Sequence, residues 1–320
     1  MLGVMKAGGA FVLLDPAHPA ARLQGICQTV SASIVVASAT QAPTAEPWAA
    51  RVVAVGTDEV TWRSTNDACK SSVTPNTALY AVFTSGSTGS PKGAVIPHAS
   101  FSTGALTHGN HLSLTHQSRV LQFASYGFDV SISDHLTTLI FGGCVCVSSE
   151  EALRNDLVKC MSTHKVNWAH ITPSVVRSLQ PREVPGLELL ALIGEPMSQM
   201  DVYTWARQVR LVNSYGPAEC SVVSSTYRAE HAQSEARIVG RGLGCVCWIV
   251  DPQEHGTLLP IGALGELLIE GPIVGRGYLN DPEKTAAAFV DPPAWLRTFR
   301  AAHPGNPGGD RVYKTGDLVQ

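Results

Sequence analysis

Three short apolar runs, at residues 166–171, 187–193 and 210–213, begin about 22 residues apart, the period of a strand–helix unit in a parallel sheet. The gaps between them carry helix-start chemistry. Thr172-Pro173 puts proline in a first helical turn, where its missing N–H costs nothing. Ser198 and Asp201 stand three apart, in the form of a capping box. In a parallel sheet the loops that follow the strands leave from one edge, and ligands bind at that edge. The pattern therefore predicts that His170, Gly194-Glu195 and residues 214–219 lie side by side.

The rest of the chain fits around that core. Residues 79–83 form a short apolar run, predicted as a strand, that leads at once into a loop of Gly, Ser and Thr. Residues 38–76 are rich in Ser, Thr, Ala and Pro, with one strand-like run at 51–55, and read as a surface excursion. Past residue 231 the texture changes to short strands, at 245–250 and 266–270, separated by Gly/Pro turns. The prolines and glycines of residues 291–310 predict a loop. The expected organisation is an α/β core over residues 1–230 and a smaller, mostly β, barrel-like subdomain over 231–320.

Composition removes several function classes. A net charge of -3 gives no electrostatic footprint for nucleic acid. No run of 18 apolar residues occurs, so no membrane span is expected. The first 16 residues lack the basic start and cleavage site of a signal peptide. The Cys144-Val-Cys146 and Cys245-Val-Cys247 pairs sit in apolar runs without metal-ligand spacing, and read as buried thiols of a reducing, cytoplasmic compartment.

The strongest chemical signal is Phe83-Thr-Ser-Gly-Ser-Thr-Gly-Ser-Pro-Lys-Gly93. Glycines let a backbone curl and turn its N–H groups on an anion; hydroxyls add donors, and the lysine adds a full charge. That is equipment for a triphosphate. It is not a Walker A loop, whose spacing is not met, nor a hydrolase elbow, since no G-x-S-x-G occurs there.

This loop resembles the phosphate loop of the adenylate-forming enzymes, which include acyl-CoA ligases, luciferases and the adenylation domains of nonribosomal peptide synthetases. Further stretches agree in the family's order: the front segment from Leu2 to Pro16, Phe128-Asp129, Asn213-Ser-Tyr-Gly-Pro-Ala-Glu219, the stretch from Gly265 to Leu279, and Tyr313-Lys-Thr-Gly-Asp-Leu318. The front segment and Phe128-Asp129 point to the peptide-synthetase branch. The fold the resemblance implies is the parallel-sheet αβα core of that superfamily with its small β-barrel-like subdomain.

It also implies roles for residues. Thr84, Ser85, Gly86, Ser87, Thr88, Gly89, Lys92 and Gly93 would cradle the phosphates of ATP, with Thr84, Lys92 and Glu219 nearest the chemistry. Glu219 would hold Mg²⁺, an ion commonly shared between a carboxylate and phosphates. Gly194, Glu195 and Pro196 would border the adenine, Asn213 and Tyr215 would meet the nucleotide, and Asp317 would accept from the ribose hydroxyls. The family often has Thr where Ala218 stands, a loss on the order of one neutral hydrogen bond, about 1 kcal/mol. Asp129 would pair with a substrate's α-amino group. The side-chain pocket would be lined by Val130, Ser133, His170, Ala191, Ile193, Ser214, Val222 and Val223. No role falls to His98, His108, His111 or His116, which lack metal spacing within one helix.

The expected reaction is ATP-dependent activation of an amino acid to its adenylate, with transfer to the phosphopantetheine arm of a separate carrier domain beside condensation domains. An acyl- or aryl-CoA ligase of the same superfamily is one alternative; an inactive fragment or nucleotide-binding remnant is another. In the family a C-terminal lid subdomain carrying a lysine follows the ribose motif, and layers precede the front motif. The sequence is therefore expected to be cut short at both ends, and the bare chain to turn over poorly.

Overall fold

The computed structural model describes residues 1–56, 72–84, 91–303 and 308–320. These form sixteen strands in chain order: β1 (Ile34–Ser38), β2 (Arg51–Val55), β3 (Ala78–Thr84), β4 (Lys92–Pro97), β5 (Arg119–Leu121), β6 (Cys144–Cys146), β7 (Trp168–Ile171), β8 (Leu189–Leu192), β9 (Arg210–Tyr215), β10 (Ser225–Ala229), β11 (Arg241–Gly242), β12 (Val246–Val250), β13 (Gly265–Glu270), β14 (Gly277–Tyr278), β15 (Phe289–Val290) and β16 (Val312–Val319). The central sheet has the order β11-β10-β9-β8-β7-β5-β6. Its five strands β9, β8, β7, β5 and β6 are parallel, and β10 and β11 close one edge antiparallel.

Parallel strands are covered on both faces, so they read as continuous apolar runs. In β7 and β8 every residue is buried. Alternation then splits each strand between two cores. Ala169, Ile171, Leu190 and Leu192 enter one, with Met161, Val202 and Trp205. Trp168, Leu189, Ala191 and Val212 enter the other, with Leu112 and Leu114. The starts of β7, β8 and β9, at Trp168, Leu189 and Arg210, bear out the strand–helix period.

A second layer packs against this sheet through the helices His98–His111 and Asp129–Ile140. It is a three-stranded sheet in the order β14-β4-β3, so the β-rich end of the chain returns to pair with β4. The remaining four-stranded sheet runs β12-β13-β16-β15. One apolar core joins these layers, from Phe11 and Tyr80 to Ile269, Phe289 and Tyr313.

Two expectations change. The segment 291–310 contains a helix, Ala294–Ala302. Its Leu296 is fully buried and its Trp295 and Phe299 rings meet Trp248. Pro293 sits at the N-cap, so the prolines start this helix instead of forbidding it. Nor are the paired thiols uniformly buried: Cys146 is buried, Cys144 is exposed, and Cys245 and Cys247 are half-buried. No helix among the described residues is long and apolar enough to cross a membrane.

Candidate active site

The register of the parallel strands creates the site. Ile171, Leu192 and Asn213 share one row across β7, β8 and β9. The next residues of all three strands leave from one edge, as the spacing predicted. Gly194 turns there with φ +84°, a left-handed conformation that glycine adopts without a Cβ penalty. The Glu195 carboxylate accepts from the Ser174 amide at 2.9 Å and the Ser174 hydroxyl at 2.7 Å. That ties the loop after β8 to the short helix Pro173–Val176 after β7. Gly194, Glu195 and Pro196 are exposed on this edge.

The loop after β9 is held in an unusual conformation. Ser221 and Val222 both have positive φ, +60° and +78°. The Val223 amide donates to the Ser221 carbonyl at 3.1 Å, so Val222 centres a γ-turn of the strained hand. For a β-branched residue this costs on the order of 1–3 kcal/mol, which surrounding contacts must offset. Those contacts are present. Ser221 Oγ donates to the Ile273 carbonyl at 2.8 Å, Gly275 N–H to the Glu219 carbonyl at 2.7 Å, and Ser224 N–H to the Tyr215 carbonyl at 2.9 Å. The strained turn buries Val222 and Val223 against Ile193 in the joint core. Gly216 makes room for it: a Cβ there would lie 2.2 Å from the Val222 oxygen. Gly216→Ala is expected to destabilise the fold by at least about 3 kcal/mol, the upper range for overpacking. Urea unfolding measures this, and an unchanged midpoint would show that the turn can relax.

Three charged or phenolic groups meet below this turn. Glu219, buried, accepts from the Tyr278 hydroxyl at 2.8 Å. Lys92 Nζ lies 5.3 Å from the centroid of the same Tyr278 ring. Tyr278 therefore bridges Lys92, at the end of the Gly/Ser/Thr loop, and the Glu219 carboxylate. Burial, then the Glu219 charge, push its phenol above the ordinary range, so it stays a neutral donor. Sequence reasoning assigned Tyr278 no role; its place in the stretch 265–279, opposite Ala94 on β4, was the available signal.

Thr84 and Lys92 face each other as the last register pair of β3 and β4. The candidates Ser85, Gly86, Ser87, Thr88 and Gly89 between them lie outside the described residues. Gly93 faces Phe83, whose ring would be 2.9 Å from an added Cβ, so its small size serves packing across the pair. Tyr215 donates to Asp317 at 2.5 Å. The two residues expected at the nucleotide are thus together, and one carboxylate oxygen already holds a phenol. The Asn213 side-chain amide donates to the carbonyls of Ile238 at 2.9 Å and Ala236 at 3.4 Å. It braces the loop after β10.

Asp129 starts the helix Asp129–Ile140 and is buried. Its Oδ2 has no hydrogen-bond partner. Burial first, then the charge of Glu219, push its carboxyl up from 3.8 to about 7, against the pull of the Val130 amide and its own. A helix N-terminus favours an anion, so desolvation outweighs it here. Among the described residues neither Asp129 nor Glu219 has an ion-pair partner. Two buried carboxylates without an ion-pair partner among the described residues, one within electrostatic reach of the other, form a site for cations. Hard oxygen donors of this kind fit Mg²⁺ at Glu219, and no cluster of three metal-ligating side chains occurs among the described residues.

Of the pocket candidates, Ser133, His170, Ala191, Ile193, Ser214, Val222 and Val223 are buried and Val130 is half-buried. They come from the helix Asp129–Ile140, the ends of β7, β8 and β9, and the strained turn.

A family model described as AMP-binding enzyme matches residues 1–279. The chain belongs to the AMP-binding enzyme family. It is 49% identical over its whole length to nonribosomal peptide synthetase fmqA of Aspergillus fumigatus, 50% to nonribosomal peptide synthetase otaB of Aspergillus carbonarius, and 48% to D-lysergyl-peptide-synthetase subunit 2 of Epichloe festucae var. lolii. The chain spans only 8%, 17% and 24% of those relatives. Among solved structures, 99% of it superposes on 34% of the nonribosomal peptide synthetase FmoA3, with TM-score 0.83 and 24% identity. An equal share superposes on 23% of the four-domain synthetase holo-AB3403, with TM-score 0.79 and 26% identity. The expected adenylate-forming α/β core is therefore the observed fold.

Proposed function

We propose that this chain activates the carboxylate of an amino acid with ATP, giving an aminoacyl adenylate and pyrophosphate. The adenylate would pass to the thiol of a phosphopantetheine arm on a carrier domain, beside condensation domains of a cytoplasmic nonribosomal peptide synthetase. The observation that carries this reading is Asp129: a buried carboxyl group with no ion-pair partner among the described residues, its Oδ2 without a hydrogen bond, within electrostatic reach of Glu219. An ammonium group supplies what it lacks. A fatty or aryl acid does not, which sets the acyl-CoA ligase reading aside. The relatives are peptide synthetases by name, and the holo-AB3403 structure holds AMP and glycine.

In the reaction a carboxylate oxygen attacks the α-phosphorus. The bond to the bridging oxygen breaks, and its electron pair leaves with pyrophosphate. Two anions must meet, so positioning and charge neutralisation dominate the barrier. Asp129 would anchor the ammonium and so aim the carboxylate. Lys92, poised over Tyr278, would place a full positive charge at the phosphates, with Thr84 and the loop donors beside it. Bound at Glu219, Mg²⁺ would neutralise phosphate charge. Tyr278 would hold the Glu219 carboxylate in place, and Tyr215 and Asp317 would receive the nucleoside.

The test is ATP–pyrophosphate exchange with amino acids and their des-amino analogues. A site built around a buried polar contact rejects the analogue that lacks the partner group by about 10⁴-fold or more. Equal exchange with a des-amino acid would move the protein to the acyl-CoA ligase class.

A further inference from the structure

Between the two interlayer helices and the central sheet lies a cluster of polar side chains in otherwise apolar surroundings. His108, on the helix His98–His111, has Nε2 3.2 Å from Ser133 Oγ and 3.4 Å from Thr137 Oγ1. Ser133 and Thr137, one turn apart, are 3.1 Å from each other. Next to them, His170 Nδ1 is 2.9 Å from Asp134 Oδ1. The two side chains of that pair are 1% and 0% exposed. The Trp168 ring stands edge-on to His170, with centroids 4.4 Å apart. Asp134 and Trp168 together hold the imidazole from two sides.

The opposite nitrogen of the ring has nothing to bind. His170 Nε2 is buried without a partner, and so is Ser214 Oγ. Both residues stand on the sheet face that carries Ala191 and Val212, His170 being in register with Ala191 and Ala191 with Val212. Ser214 lies two residues beyond Val212 on β9. This is the face roofed by the helix that begins at Asp129. Polar atoms closed off from water are normally paired. Two left open on one sheet face mark where a polar ligand group would sit.

The proton count of the Asp134–His170 pair decides which kind of group. One shared proton would leave a net negative charge, and Asp134 Oδ2 has no partner to stabilise it. Two protons make the pair neutral overall. In either arrangement of those two protons Nε2 carries a hydrogen and donates. Burial raises the proton affinity of Asp134, and His108 beside it is pushed down to about 3 by burial, then by His170, so it adds no charge.

We infer that Asp134 is a positioning residue that sets specificity through His170: it holds the ring so that Nε2–H faces the substrate side chain, and the site selects an amino acid whose side chain carries a carbonyl or carboxylate oxygen. The inference rests on the amino-acid adenylation reading. It extends it to a residue that does not itself meet the substrate, and to a substrate class.

The experiment compares shape-matched amino acids in pyrophosphate exchange: asparagine and aspartate against leucine, glutamine and glutamate against methionine. The best oxygen-bearing substrate is expected to exceed its apolar match in kcat/KM by at least about 100-fold. Asp134→Leu should shrink that ratio at least about tenfold, through KM of the oxygen-bearing substrate, and leave kcat for its apolar match unchanged. Asp134→Asn, which can still hold the ring, should restore part of the ratio. A merely structural Asp134 would affect both substrates alike. Nitrogen-15 NMR of labelled histidines, with His170 assigned by its loss in His170→Gln, reads Nε2 directly, and a hydrogen-bearing nitrogen is expected. Should Asp134→Leu fail to fold, Asp134→Asn and the spectrum still decide. Leucine or methionine as the preferred substrate, a lone-pair Nε2, or a ratio unmoved by both variants would overturn the inference. Exchange with no amino acid at all, even with the lid subdomain of a similar domain added, would sink the adenylation reading, while the spectrum would still report on the ring.

Discussion

Asp129→Asn is expected to lower amino-acid-dependent pyrophosphate exchange by roughly 100- to 1,000-fold, the scale for losing one member of a buried charge pair. Asparagine keeps the shape and can accept from an ammonium, but it cannot balance the charge. The same change carries a pH signature. Burial, then Glu219, hold the Asp129 carboxyl at about 7 instead of 3.8. Below pH 7 the ligand-free site is protonated, so an ammonium ion must displace a proton to bind. KM for the amino acid should therefore rise as pH falls through 7 and flatten above it, and the asparagine variant should lose that limb. Stability runs the other way. A carboxyl raised in the folded state disfavours folding wherever it must ionise. Its destabilising effect is absent below about pH 4, grows as pH rises to 7, and is full above that. Asp129→Asn should accordingly raise the Tm of the ligand-free protein at pH 8 and leave it nearly unchanged at pH 4. Retained exchange with a wild-type pH profile would remove Asp129 from the site.

What could be read in advance follows from how local each signal is. Strand spacing near residues 168, 189 and 210 exposed the parallel sheet, because the strand–helix unit repeats within a short stretch of chain. The capping box of Ser198 and Asp201 formed as expected, since both halves lie within four residues. Contacts across long separations were not legible. Tyr278 reaches Glu219 across 59 residues, and His170 reaches Asp134 across 36. No periodicity encodes such pairs; the pairing of β14 with β4 brings Tyr278 to Glu219, and the helix Asp129–Ile140 brings Asp134 to His170 on β7. His108 lacked any metal spacing and was left without a role, yet burial between helix and sheet made it a partner of Ser133. Nor could the motif around Asn213 show that its side-chain amide reaches the carbonyls of Ala236 and Ile238, more than twenty residues away. The helix Ala294–Ala302 was obscured by flanking prolines, although Trp295, Leu296 and Phe299 already had helical spacing.

Glu219→Gln separates charge from shape most cleanly. Glutamine keeps an acceptor oxygen for the Tyr278 hydroxyl, which now sits 2.8 Å from Glu219 Oε1. The strained turn beyond it is held by the Ser221 hydroxyl on the Ile273 carbonyl and by Gly275 N–H on the Glu219 carbonyl, which the substitution does not touch. The fold should survive, with Tm close to wild type. The charge is lost, with two measurable consequences. Exchange should fall about 100- to 1,000-fold, the usual scale for removing one electrostatic contributor to charge neutralisation. The Mg²⁺ concentration needed for half-maximal exchange should rise with it. The second consequence appears at a different residue. Because Glu219 is one of the two causes that raise the Asp129 carboxyl, its neutralisation should move the acid limb of the amino-acid KM profile to lower pH, though not to the ordinary carboxylate value, since burial remains the larger cause. A Glu219 that served only to brace Tyr278 would move neither the metal dependence nor the pH limb. An unchanged Mg²⁺ requirement together with an unmoved limb would break the link between the two carboxylates, and with it the reading of this cleft as a site built for two cations.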